Sequence, residues 1–287
     1  MASIWELDFY SRPLKDEAGK KVWVVLICET PINNGDQAEN LFRYTQFCPS
    51  TEVNSIWLKG AIEKAIQQAD QSPSRIRFFR RPMANMISRA CQELAIPASV
   101  SRRTYALFLW LQERLENIYP ALDNYQPGTN PSVQFSPSTP QRLPDALQGE
   151  QWTFVTLEAI AFSDMLEWEI DFGEAFGLSM LNLSPETQIP GVIVFSKRAS
   201  PLAAWMSGLE LAYLRVEDGP RPNLILETGE NDSWILASLT DGKTQAEAQG
   251  FVAKKQHARN VHFLAVQSDP TSESFAGFWL LQEIQFA

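Results

Sequence analysis

The sequence predicts an α/β chain of two modules, and three observations carry that expectation. Short apolar runs of strand type alternate with segments whose apolar residues recur at i, i+3, i+4 and i+7. Between residues 120 and 150 this patterning stops, and six prolines (120, 127, 131, 137, 140 and 144) stand among Ser, Thr, Asn and Gln. The charge divides there too. Residues 1–120 hold 15 Lys+Arg against 13 Asp+Glu, leaving 9 against 21 for the rest of a chain whose net charge is −10. The expected organisation is an N-terminal α/β module over 1–119, a proline-rich linker or wrapped loop over 120–150, and an acidic C-terminal α/β module over 151–287.

In the first module Trp5, Leu7 and Phe9 alternate with Glu6, Asp8 and Tyr10, the period of a half-buried strand. Residues 22–28 form a nearly continuous apolar run, read as a central strand in a hairpin with the first. A third strand is expected over 41–47. Asn54 or Ser55 caps a helix carrying Leu58, Ile62, Ala65, Ile66 and Ala69, stopped by Pro73. Residues 75–79 are short and extended. Pro82 suits the first turn of a second helix with the stripe Met83, Met86, Ile87, Ala90, Cys91 and Leu94. A brief strand over 98–102 and a third helix from about Thr104 to Tyr119 complete the module. Three strands followed by helix, strand, helix, strand, helix is the order of ribonuclease H-like domains, so a mixed sheet covered by helices is expected.

Beyond the linker, strands are expected at 152–157, 191–195, 210–216, 224–227, 234–239, 261–266 and 275–284. Helices are expected at 163–168, 201–206 and 245–257. Hydrophobic content of 45%, with nine Trp and seventeen Phe, supports a sizeable core. No apolar run reaches the roughly 18 residues that cross a bilayer, and residues 1–10 have no basic n-region, so neither membrane insertion nor secretion is expected. Cys28, Cys48 and Cys91 are odd in number and form no C-x-x-C pair, which reads as buried free thiols in a reducing compartment. His257 and His262 have no second ligand at metal spacing and read as structural. There is no P-loop, dinucleotide fingerprint or nucleophile elbow, and neither a cofactor nor a metal is expected.

The chemistry concentrates in one basic island. Between Arg75 and Arg103 lie seven arginines (75, 77, 80, 81, 89, 102 and 103), no lysine and one acid, Glu93. Guanidinium groups bind phosphate bidentately and stack on bases, and an exposed Phe79 would offer a stacking platform. Arg81 and Pro82 open a helix whose N–H groups suit an anion. The competing readings are an ion-pair hub for the acidic module and a two-metal nuclease using Asp8, Glu63 and Glu113. Against the nuclease, arginines stand where the fourth strand would need an acid.

Five blocks carry a family resemblance: Trp5 to Pro13, Arg75 to Arg80, Leu109 to Arg114, Lys197 to Met206 and Gly277 to Leu281. In that order they resemble the Tab-two family, whose plant and algal members are chloroplast RNA-binding proteins that activate translation of a photosystem I reaction-centre message. The resemblance implies a non-enzymatic RNA-binding factor in photosystem I biogenesis, with a single-stranded 5′ leader as partner. It also implies contacts with translation machinery or assembly factors. The alternative is a protein-interaction scaffold for assembly. The absence of a transit peptide suggests a cyanobacterial member in the cytosol, the plant relatives working in the stroma. Candidate RNA contacts are Arg75, Arg77, Phe79, Arg80, Arg81, Arg89, Arg102 and Arg103, joined by Lys197, Arg198 and Trp205. Trp279, in the Trp279-Leu280-Leu281 tripeptide that the family associates with RNA binding, is added, although its alternating apolar strand also fits a core. Charge reversal at Arg80 and Arg81 is expected to weaken RNA binding without changing stability.

Overall fold

The computed structural model describes residues 3–32, 40–127, 138–217, 219, 222–229 and 231–284. It is a mixed α/β chain with two compact units: Met1–Thr30, Ala38–Gln134 and Gln285–Ala287 in one, Pro31–Gln37 and Phe135–Ile284 in the other.

In the first unit, β1 (Ile4–Lys15), β2 (Lys21–Glu29) and β3 (Arg43–Cys48) form an antiparallel meander. Then follow α1 (Ser55–Ala69), β4 (Arg75–Phe78), α2 (Ala84–Gln92), β5 (Ala98–Val100) and α3 (Tyr105–Glu113). The sheet order is β3-β2-β1-β4-β5, with β4 and β5 parallel to β1. The Asn54 side chain accepts the Trp57 N–H at 2.9 Å and starts α1, while Asp70 ends it in the left-handed region at φ 51°. Leu58, Ile62 and Ala65 of α1 and Ile87, Ala90 and Cys91 of α2 pack on Trp5, Leu7, Phe9, Ile27 and Ile76.

Two expectations change. β1 is buried on both faces from Trp5 to Phe9, Glu6 and Asp8 included, because the sheet's second face is also covered. Leu107 at the start of α3 donates its N–H to Glu6 Oε2 at 2.7 Å there. The third helix does not run unbroken to Tyr119. It passes at Arg114–Ile118 into a π-helical turn that sets Arg114 Nε 3.0 Å from the Tyr119 hydroxyl.

The second unit contains β6 (Gln141–Arg142), β7 (Gln151–Glu158), a 3-10 segment (Ala159–Glu167), β8 (Ile170–Glu174), β9 (Gln188–Phe195), α4 (Ala199–Ser207) and β10 (Leu211–Val216). It continues with β11 (Asn223–Thr228), β12 (Asp232–Ser238), α5 (Gly242–His257), β13 (Val261–Gln267) and β14 (Phe275–Gln282). Two sheets result, β7-β9-β13-β14-β8 and β10-β11-β12-β6. β6 and β8 are the strands that periodicity does not reveal. β6 has two residues, and β8 contains Gly173, where a Cβ would lie 2.3 Å from the Phe278 carbonyl oxygen. Inside the proline-rich stretch, Tyr125 bridges Leu14, and Gln141 and Arg142 pair with Trp234 and Ile235.

All three cysteines are free and buried, and burial pushes the thiols up, Cys48 to about 11 and Cys91 to about 12. His262 joins the two sheets of the second unit. On β13, its Nε2 accepts the Leu214 N–H from β10 at 2.7 Å, and Nδ1 lies 2.9 Å from the Asn260 carbonyl oxygen. Beside it the buried Lys255 ammonium donates to the Leu214 carbonyl at 2.6 Å and to Glu283. Burial, and then the Lys255 charge, hold the imidazole well below its ordinary range. In the unfolded chain His262 takes a proton near pH 6.5, whereas in the folded chain it does not. Its contribution is therefore complete above about pH 6.5 and declines at about 1.4 kcal/mol per pH unit below it, until the folded imidazole titrates. Urea denaturation at pH 7.5 and pH 5.5 should show this loss, and His262→Gln should lack that part of the slope.

Candidate nucleic-acid interface

The charged residues of β1 build the site. Trp5, Leu7 and Phe9 point into the core under α1 and α2, so strand alternation sends Glu6 and Asp8 to the other face. Glu6 is the register partner of Cys28 on β2 and of Arg77 on β4. Asp8 is fully buried and accepts from two guanidinium groups, Arg12 to Oδ2 and Arg80 Nε to Oδ1, both at 2.7 Å. Burial pushes the Asp8 carboxyl up, but Arg12 and Arg80 outweigh it and hold it below the ordinary carboxylate range.

Five aromatic rings of this unit lie against its own arginines. The Arg80 guanidinium lies 4.3 Å from the Tyr10 ring centroid and 4.9 Å from that of Phe79. Arg103 covers Tyr105 at 5.3 Å, and Arg114 lies between Trp110 at 5.6 Å and Tyr119 at 5.0 Å. A buried guanidinium needs paired charge and satisfied donors, and these contacts supply part of both.

The island is therefore split by depth. Arg77, Arg80, Arg102 and Arg103 are all at most 5% exposed, and Phe79 is 1% exposed. Arg80, Arg102 and Arg103 follow the carboxyl ends of the adjacent parallel strands β4 and β5, the edge at which open α/β sheets usually place ligands. Arg75 begins β4, at the other end of the strand from Arg80, and is half-buried, as is Arg81. Arg89, on α2, has a side chain 71% exposed and lies 3.6 Å from Glu93. The surface cations of the island are thus Arg75, Arg81 and Arg89. Phe79 offers no open ring face. The expectation that Arg80 can be reversed without loss of stability is corrected: Arg80 neutralises a buried carboxylate.

The three nuclease candidates do not converge. Both Asp8 oxygens are held by arginine; Glu63 lies on α1, over the opposite face of the sheet, beside Lys59 at 3.9 Å; Glu113 is half-exposed and faces Arg43 at 3.5 Å. Among the described residues no three His, Cys, Asp or Glu side chains are grouped to hold a metal ion.

In the second unit, Lys197 and Arg198 are exposed where β9 turns into α4. The Lys197 N–H donates to Glu150 at 3.0 Å and the Arg198 N–H to Ser196 Oγ at 3.1 Å. Trp205 is half-buried in the last turn of α4, edge-on to Trp234 at 5.2 Å, about 10 Å along the helix from Arg198. Trp279 is 3% exposed, within a core formed by Val192, Leu202, Ala203, Met206, Leu264 and Leu281. Sequence reasoning missed Arg12 as a partner of Asp8, Glu6 as the acceptor of the Leu107 N–H, and Arg114 as a buried cation between Trp110 and Tyr119. The available signal was acids on a strand with Arg12 four residues beyond Asp8.

Residues 4–114 match the model of the RNA-binding protein Tab2/Atab2 N terminal, and residues 130–282 match that of the RNA-binding protein Tab2/Atab2, C-terminal domain. A maize (Zea mays) protein named Protein TAB2 homolog, chloroplastic, is 37% identical over 288 residues, covering 98% of this chain and 71% of its own length. The Arabidopsis thaliana protein of the same name is 37% identical over 287 residues, covering 98% and 74%. A solved structure of the HTLV-2 integrase catalytic core domain in complex with magnesium aligns with 42% of this chain and 77% of its own, at 17% identity and a TM-score of 0.24. Both family models and both relatives agree: the chain belongs to the Tab2/Atab2 family of RNA-binding proteins.

Proposed function

We propose that this protein binds the single-stranded 5′ leader of a photosystem I reaction-centre message and promotes its translation, without chemistry of its own. The observation that carries the reading is the match of both halves of the chain to an RNA-binding family, together with a rim of accessible arginine on an otherwise acidic protein. Arg81 and Arg89, with Arg75 farther away, contact phosphates. Lys197 and Arg198 provide a second cationic point at the start of α4, with Trp205, about 10 Å farther along the helix, as a stacking surface. Arg80 supports the rim from below through its pair with Asp8 and lies over the Phe79 ring, while Arg77, Arg102 and Arg103 are buried. The compartment that fits this role is the cytosol of a cyanobacterium or the stroma of a plastid.

The reading is tested with Arg81→Glu and Arg89→Glu in one chain, which leaves the Asp8 pairs intact. Fluorescence anisotropy with leader RNA should show affinity falling about tenfold or more, and the slope of log K against log salt shrinking by about 1.4, two phosphate contacts at about 0.7 each. Unchanged affinity and slope in a variant of unchanged melting temperature would remove the rim from the interface. The assay needs a scrambled RNA of equal length beside the leader, since phosphate contacts alone read no sequence.

A further inference from the structure

The second unit carries an open strand edge unlike an RNA surface. Among the described residues β7 is the last strand of its sheet, eight residues long, with no charged residue or proline between its ends. Natural edges are usually short or guarded by lysine or proline, because a bare edge is a template for another strand. The register shows which groups face outward. The Ala159 N–H just beyond β7 bonds to the Thr187 carbonyl, and Thr156 lies opposite Pro190, which has no N–H to give. Residues 151, 153, 155 and 157 therefore bond to β9, and Trp152, Phe154 and Thr156 turn their N–H and C=O groups to the open side. All six residues between Gln151 and Glu158 are half-buried, none fully.

The surroundings indicate the occupant. A cavity of about 590 Å³ along the start of β7 is lined by Trp152, Glu150, Asp241 and Glu247, with Lys243 its one cation, 3.9 Å from Glu247. Glu158 is exposed at the far end of the strand. Residues 143–196 hold nine acids (145, 150, 158, 164, 167, 169, 171, 174 and 186) and neither lysine nor arginine. Lys254 reaches the strand from α5, its ammonium 2.9 Å from Thr156 Oγ1. Even so, carboxylates predominate, and a phosphate backbone would be repelled.

We propose that β7 is a docking edge for an extended, lysine- or arginine-bearing segment of a protein partner, which adds to the sheet as a further strand. Main-chain bonds to Trp152, Phe154 and Thr156 supply affinity, and the carboxylates at Glu150, Glu158 and Glu247 select a basic segment.

The test uses the full chain and two labelled, capped octapeptides, one alternating valine with lysine and the other valine with glutamate. The basic peptide should bind and slow hydrogen exchange at the Trp152, Phe154 and Thr156 amides, and the acidic one should do neither. Thr156→Pro removes one outward N–H and no bond to β9, and should abolish binding at unchanged melting temperature. Glu158→Lys with Glu247→Lys should weaken it about tenfold. Equal binding of the two peptides, binding without protection of those three amides, or binding that survives Thr156→Pro overturns the proposal. It is also overturned if single-stranded RNA protects β7, or if β7 pairs with a second copy of the chain, seen as a dimer that Thr156→Pro dissociates.

Discussion

Asp8→Asn is expected to destabilise the first unit by about 3–5 kcal/mol, the usual cost of removing one partner from a buried ion network. Asparagine has nearly the shape of aspartate but no charge, and its amide nitrogen would face a guanidinium donor. Arg12 and Arg80, at 3% and 5% exposure, would then be buried cations without the carboxylate that each meets at 2.7 Å. Chemical denaturation followed through the first unit's tryptophans should show a lower midpoint with little change in slope. The pH dependence checks the same contact. Because the folded Asp8 pKa is depressed, its contribution is present above the unfolded value near 3.9 and is lost as pH falls through the folded value. The wild-type protein should lose this increment below about pH 4, and Asp8→Asn should not. A variant as stable as wild type at pH 7 would show that the network carries no net weight.

Trp279→Ala should be comparably damaging to the second unit, at about 3–5 kcal/mol. The indole lies on β14 opposite Leu264 of β13, and its ring occupies the space left by Gly277, where a Cβ would meet it at 2.3 Å. Thermal unfolding should show the second unit melting roughly 10 °C lower, at 2–4 °C per kcal/mol for a domain of this size. Loss of RNA binding in this variant would follow from loss of the folded unit. Trp279→Phe separates the two roles. It keeps most of the apolar volume, so it should keep most of the stability and all of the RNA affinity if Trp279 acts only as core. Reduced affinity in a well-folded Trp279→Phe protein would instead make the indole a contact.

The elements that the sequence makes legible are those with a local cause. α1 could be read from Asn54 and its apolar spacing, β2 from its unbroken apolar run, and β11 with β12 from two short runs that pair antiparallel, because each period depends on near neighbours alone. β8 escaped because its identity comes from a parallel partner, β14, more than 100 residues later in the chain. In the candidate interface, the arginine island could be located by composition, but its depth could not. Strand alternation puts Arg75 and Arg77 on one face of β4, the face that Glu6 shares. It could not reveal that this face is covered, which depends on α3 docking over Glu6.

The sequence by itself determined the α/β class, the order of strands and helices in the first module, the concentration of arginine between residues 75 and 103, and the family. Only the tertiary structure decided which of those arginines meet solvent, and that β7 is a bare edge. The physical reason is the same for both. Charge and periodicity are local properties of the chain, whereas burial and pairing are set by segments distant in sequence, so of seven arginines four are buried, one of them paired with Asp8, and three form a thin accessible rim.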